Sequence, residues 1–213
     1  MLRFTLFGFP VMVHWLFWLI AFLLGGGLFM QSAREWPDVF VRMVVIFFSI
    51  LVHELGHAAA ARLFGLRPGI AFHGLGGLTY FSGGSLERWQ HFLVVAAGPL
   101  SSLALAGCFV ILLPLENISP LMPTLIWTGV ILNVAWTIIN CLPVLPMDGG
   151  QMLRDILGPK HERTACTIGA VVAALVIIPA VLFKFYILAV LMGFLAYSNF
   201  KGSTSMQGGV LKQ

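Results

Sequence analysis

Apolar residues run along this chain in stretches too continuous for the buried stripe of a water-soluble helix, and polar positions punctuate these stretches rather than alternate with them. Four of them, Val11 to Met30, Val39 to Phe64, Gln90 to Leu113 and Leu121 to Leu142, are each long enough to cover most of a hydrocarbon core about 30 Å thick. A fifth apolar region, Thr164 to Asn199, exceeds one span and carries Pro179 and Lys184, so it divides near Lys184 into a fifth helix and a short sixth. One segment breaks the pattern: Leu66 to Ser85 is rich in Gly, contains Phe72-His73 and Leu78-Thr79-Tyr80-Phe81, and reads as strands or a re-entrant loop. The expected fold is therefore an all-α polytopic membrane protein of about six transmembrane helices, with a short membrane-associated β-hairpin or re-entrant segment between helices two and three. Residues 1–200 form its transmembrane core, and the Gly- and Ser-containing residues 201–213 form a polar, disordered cytoplasmic tail.

Composition agrees, since 59% of the 213 residues are hydrophobic and 9% are charged. That length leaves room for one domain of several spans and little for a soluble module. The excess of Lys and Arg over Asp and Glu is scattered among loops and forms no patch, which argues against nucleic acid and reads as a topology signal. With six spans and a cytoplasmic N-terminus, nine basic residues (Arg3, Arg62, Arg67, Arg88, Arg154, Lys160, Arg163, Lys201, Lys212) face the cytoplasm, against three outside (Arg34, Arg42, Lys184). The apolar run after Met1-Leu2-Arg3 is too long for a secretory leader and lacks a small-residue cleavage site before Trp15, so it is expected to stay attached. Cys108, Cys141 and Cys166 show no CxxC spacing and indicate neither a disulfide framework nor a thiolate metal site.

The chemistry is concentrated in Leu51-Val52-His53-Glu54-Leu55-Gly56-His57, inside the second span. On a helix His53 and His57 share a face, so two imidazole nitrogens can converge on one metal with Glu54 beside it. A charged side chain in a membrane helix costs about 2.5–3.5 kcal/mol on insertion scales, and metal ligation can offset that cost. An open catalytic zinc site takes three protein ligands and a water, which leaves one ligand to find. Glu35 and Asp38 lie in the first outer loop, Glu87 before the third span, Glu116 in the second outer loop, and Asp155 and Glu162 beyond Gly149-Gly150. Asp148 alone remains beside Glu54 at suitable depth, at the inner end of the fourth span, where Pro143 and Pro146 interrupt the helix and glycines allow close backbone approach. Asn133, Thr137 and Asn140 form a polar stripe expected to face the bundle interior.

With HExxH followed by Asn140-Cys-Leu-Pro143-Val-Leu-Pro146-Met-Asp148-Gly149-Gly150, the chain resembles the site-2 protease family of intramembrane metalloproteases. The likeness extends from roughly Gly8 to Phe200 and includes Gly76-Gly77, Gly98-Pro99 and Asn133. Two positions depart from the family pattern: Met147 stands for the usual Leu, and Ser101-Ser102 follow Gly98-Pro99-Leu100 where an Asn is common. The resemblance implies a minimal core without PDZ or CBS domain and one Zn2+ per chain held by His53, His57 and Asp148. Glu54 is then the proton-transferring residue. Asn140 is the candidate to hold the substrate backbone or the developing oxyanion, and Asn133, Gly76 and Gly77 are candidate substrate contacts.

The implied activity is hydrolysis of a peptide bond in or near the transmembrane segment of a single-pass, membrane-tethered protein, releasing a cytoplasmic regulator. The lipid bilayer and a regulatory membrane partner are the other partners, in a prokaryotic cell membrane with N-terminus and active site toward the cytoplasm. Two other readings compete. An inactive scaffold would not need Glu54, and a metal transporter would place its site near the midplane between repeats that this sequence lacks. His14 is read as a helix-capping or interfacial residue or as a site residue, and His73, His91 and His161 as loop or interfacial residues.

Overall fold

The computed structural model describes the backbone of residues 1–74 and 76–210, and the side chains of these up to residue 204. The fold is mostly helical, with one small sheet, and the described residues fall into two compact units. The first comprises Met1–Ser85 and Ala96–Thr137, the second Leu86–Val95 and the chain from Ile138 onward.

In the first unit, strands β1 (Leu2–Leu6) and β2 (Phe9–Val13) form an antiparallel hairpin turning at Phe7-Gly8, both at positive φ. Such a two-residue turn matches the right-handed twist of the flanking strands. Helix α1 (Trp15–Leu24) and helix α2 (Trp36–Leu63) follow, and then β3 (Arg67–His73) pairs parallel with β2 and antiparallel with β4 (Gly76–Ser82). The sheet order is β1-β2-β3-β4. Val11 and Val13 of β2, Ile70 and Phe72 of β3, Phe17 of α1, and Ile46, Ile50 and Ala58 of α2 make one core. Helices α3 (Arg88–Ile111) and α4 (Met122–Asn140) contribute most of their length to this unit.

Helices α5 (Asp148–Leu157), α6 (Glu162–Leu182) and α7 (Tyr186–Val210) belong to the second unit, where α6 and α7 pack along their length and Val144, Ala173, Met192 and Leu195 form the core. At its edge the Arg88 guanidinium donates to the carbonyls of Asp155 and Ile156, and His91 Nδ1 lies 2.5 Å from Asp155 Oδ2, tying the start of α3 to the end of α5. Large apolar side chains such as Ile131, Leu175, Ile178, Val190 and Phe194 are exposed, as lipid-facing residues are.

Among the described residues, four helical segments can cross a membrane by length and composition: Ala33–Leu63, Arg88–Ile111, Met122–Asn140 and Pro159–Leu182. The expected first span over Val11–Met30 is corrected. Its beginning is strand β2, and α1 has only 10 residues, about 15 Å of helix. Continuous apolarity hid the alternation of buried Val11 and Val13 around Met12. The helix ends at Gly25-Gly26-Gly27, where Gly26 takes φ 91° and Arg42 donates to the Gly25 carbonyl. The expected single hairpin is half of a four-stranded sheet. The division near Lys184 matches the break between α6 and α7, with Lys184 itself at φ 61°. Past Phe200, where a disordered tail was expected, α7 continues to Val210; residues 211–213 lie outside the described ones.

Candidate metal centre

Helix α2 buries Ser49, Ile50, His53, Glu54, His57, Ala58 and Ala61, a stripe at three- and four-residue spacing that turns the polar motif away from the lipid side. His53, Glu54 and His57 are 2%, 5% and 8% exposed, so none of them is solvated from the surface. Their Nε2 atoms, His53 to His57, are 3.2 Å apart with the rings nearly perpendicular. Zinc–nitrogen bonds of about 2.0–2.1 Å at a tetrahedral angle would place two ligand nitrogens roughly 3.3 Å apart, so the pair fits zinc.

The surroundings of each ring explain the spacing. Gly98 of α3 lies so close to His57 that a Cβ there would fall 2.2 Å from Nε2, and a Cβ on Gly56 would meet the Ala97 carbonyl at 2.5 Å. Helices α2 and α3 therefore touch backbone to backbone at the level of the site. Ser102, fully buried one turn beyond Gly98, places Oγ 3.0 Å from His53 Nδ1. In the tautomer with the proton on Nδ1, Ser102 accepts it and Nε2 keeps its lone pair for a metal. Both serines that depart from the family pattern are thus engaged, Ser102 with His53 and Ser101 as donor to the Ala97 carbonyl.

Glu54 faces the sheet. Thr79 of β4 places its hydroxyl 2.7 Å from Glu54 Oε2 and 3.1 Å from the Glu54 carbonyl oxygen. Gly77, two residues earlier on the same face of the strand, would put a Cβ 2.5 Å from Glu54 Oε1. The carboxylate is held between a hydroxyl donor and a strand that approaches it with bare backbone. Sequence reasoning named Gly76 and Gly77 but missed Thr79. The signal was the alternation Gly77, Thr79, Phe81, which becomes informative only once β4 is known to lie along α2.

Asn133 is fully buried and donates from Nδ2 to Ser49 Oγ at 2.9 Å and to the Gly129 carbonyl at 2.8 Å, which makes it a cross-link between α2 and α4. Thr137, also buried, donates to the Asn133 carbonyl, so these two residues of the expected stripe face the interior, while Asn140 is half-buried. Gly76, at φ +124°, lies against Trp136 of α4. His14 caps α1, its Nδ1 accepting from the Leu16 N–H, and holds no position in the site.

In the second unit Asn140 is the last residue of α4, and Asp148 is the first of α5 rather than the end of the fourth span. The residues between them leave the helix because Pro143 and Pro146 remove backbone donors. The first turn of α5 lies directly on that segment: a Cβ on Gly149 would sit 2.1 Å from the Cys141 carbonyl oxygen, and one on Gly150 would sit 2.5 Å from the Leu145 nitrogen. Both glycines are required for this approach, and Asp148, 8% exposed, is aimed by it.

Residues 41–119 match the Peptidase family M50. A zinc metalloprotease of Methanocaldococcus jannaschii is 27% identical over 181 residues, covering 82% of this chain and 52% of that protein. The protein Rip3 of Mycobacterium tuberculosis is 30% identical over 194 residues, covering 87% of this chain and 44% of its own. The solved site-2 protease from Methanocaldococcus jannaschii superposes with a TM-score of 0.64 at 27% identity, covering 95% of this chain and 94% of that one. In sequence and in fold the chain is similar to zinc metalloproteases of this family and to a site-2 protease. Its apolar helices make it an integral membrane protein. It spans about half the length of the curated relatives it matches.

Proposed function

We propose that this chain is a member of the site-2 protease family and an intramembrane zinc endopeptidase. The observation that carries the reading is the buried His53–His57 pair at zinc-ligand separation, with Glu54 held beside it by Thr79, inside a helix apolar enough to cross a membrane. Asp148 is the third ligand in this reading. It is a buried carboxylate delivered by a backbone segment that two prolines and two glycines shape, and the family resemblance assigns the same position.

Zinc bound there supplies a Lewis acid that polarises the scissile carbonyl and acidifies water. The chain's own residues do the rest. Glu54 accepts a proton on its carboxylate from the attacking water and passes it to the leaving amine. Thr79 and the bare backbone at Gly77 keep that carboxylate in one orientation. Ser102 holds the His53 ring. Asn140 offers an uncharged donor and acceptor to the substrate backbone or to the developing oxyanion.

The substrate is a single-pass membrane protein whose helix unwinds at the cleavage point. Strand β4 ends the sheet beside Glu54, so an extended segment can add to it as a further strand next to the proton-transferring group. Gly77 leaves room for the Glu54 carboxylate and Gly76 for Trp136, so the strand can lie this close to the proton-transferring group. The basic residues Arg62 and Arg67 at and just past the end of α2, against Arg34 and Arg42 about its start, with the general excess of Lys and Arg, support a site toward the cytoplasm of a prokaryotic cell membrane. Cleavage in that orientation releases a cytoplasmic regulator, and a membrane partner would control access.

Proline substitutions test the strand-addition step. One variant carries Leu78→Pro and Tyr80→Pro, the other Thr79→Pro and Phe81→Pro, because alternate residues point their N–H groups to opposite edges. At least one pair is expected to keep bound zinc while cleavage of a transmembrane substrate falls about tenfold or more. Unchanged cleavage in both would overturn the proposal.

A further inference from the structure

Helix α7 is apolar along most of its length, yet at Asn199 it buries an amide that is 3% exposed. In a membrane helix such a residue needs partners for its polar atoms. Asn199 finds them on one residue 54 positions away: Nδ2 donates to the Leu145 carbonyl at 2.7 Å, and Oδ1 accepts from the Leu145 N–H at 3.3 Å. The second Nδ2 hydrogen goes to the Leu195 carbonyl one turn back on α7, at 2.8 Å. The amide is thus fully engaged, and it pairs with both main-chain groups of Leu145 much as a neighbouring strand would.

Two further observations show that the space around this pairing is shaped for it. A Cβ on Gly169 of α6 would fall 2.5 Å from Asn199 Oδ1 and 3.2 Å from the Pro143 carbonyl oxygen, so α6 leaves room for both the amide and the segment it holds. On the other side the first turn of α5 presses on the same residues, with the Gly150 Cβ direction pointing at the Leu145 nitrogen. The Leu145 peptide is gripped between α5 and the Asn199 amide. Asn140 lies five residues before it and Asp148 three after.

We propose that Asn199 is a positioning residue for the metal centre, coupling α7 to the Asp148-bearing segment through Leu145. This rests on Asp148 being the third ligand. The bridge is polar and bidentate, engaging the peptide groups on both sides of the Leu145 Cα, so it fixes the rotation of the Leu145 backbone as well as its distance from α7. Apolar packing of α6 on α7 could not specify that rotation.

Ser203 supplies the control. It is also buried on α7 and shares a 2.9 Å hydroxyl contact with Thr167 of α6, one turn beyond Asn199, without a hydrogen bond to the loop. The experiment compares full-length wild type, Asn199→Ala, Asn199→Asp, Ser203→Ala and Asp148→Ala, purified in detergent. Zinc affinity is read by chelator competition, and hydrogen exchange is read on peptides covering Leu145. Asn199→Ala is expected to weaken zinc about 10- to 100-fold, the range for removing a group that orients a ligand, and to speed exchange at Leu145. Asn199→Asp keeps the size but cannot donate to the Leu145 carbonyl, so it should weaken zinc too and serves if the Ala variant fails to fold. Ser203→Ala should match wild type in both readouts. Wild-type zinc affinity in the Asn199 variants would overturn the positioning role whatever the exchange shows, and an equal loss in Ser203→Ala would reduce it to helix packing. Full zinc in Asp148→Ala would instead overturn the ligand assignment beneath it.

Discussion

Glu54→Gln is expected to retain about one zinc per chain while losing cleavage of a transmembrane substrate by at least about 10²- to 10⁴-fold, the scale of general acid–base catalysis. The glutamine is nearly isosteric and its amide oxygen can still accept from Thr79, so neither the contact at 2.7 Å nor the packing against Gly77 is disturbed. What disappears is a carboxylate able to take a proton from water and return it to the leaving amine. The histidine pair is untouched, because Glu54 is no ligand in this arrangement. Metal content and cleavage are therefore expected to separate. Measuring both on one preparation checks this: cleavage surviving at wild-type rate would remove Glu54 from the chemistry, and zinc lost along with cleavage would make it a ligand.

The second large effect comes from a residue without a side chain. Gly98→Ala adds a Cβ 2.2 Å from His57 Nε2, a distance that real Cβ contacts do not reach, so the ring or the helix must move. Helix α3 has little freedom to retreat, since α2 and α3 already meet at Gly56 and Ala97 with no side chain between them. The ring is expected to rotate, taking Nε2 out of the 3.2 Å relation to His53. We expect zinc affinity to fall about 100-fold, at the upper end of what losing ligand orientation does elsewhere, with helix content unchanged. Titration with zinc against a chelator, alongside circular dichroism, reads both. Wild-type affinity in Gly98→Ala would mean that His57 is not confined by α3.

The parts of the site that were legible in the sequence are those where chemistry follows from spacing along one element. His53, Glu54 and His57 need only the helical period to share a face, and an apolar surrounding to make their presence costly without a metal. Asp148 could be reached by elimination because the chain has only eight acidic residues. The boundaries of α2, α3 and α4 came within three residues of expectation, since long apolar runs end where polar residues begin. What failed was the beginning of the chain. Phe9–Val13 is apolar at every position, so a buried strand there cannot be told from the start of a helix until Ile70, Ala71 and Phe72 are seen beside it. Thr79, Ser102 and Asn199 were invisible as functional residues for the same reason. Each acts on a residue 25, 49 or 54 positions away, and no local pattern announces such a pairing.

Metal content of the purified full-length chain and of Asp148→Ala tests the central claim most directly, because it requires no knowledge of the substrate. About one zinc is expected per wild-type chain, isolated without chelators, and markedly less in Asp148→Ala, because one of three protein ligands is removed. Full zinc in Asp148→Ala would contradict the three-ligand centre, and wild-type protein free of zinc would contradict the metalloprotease reading itself.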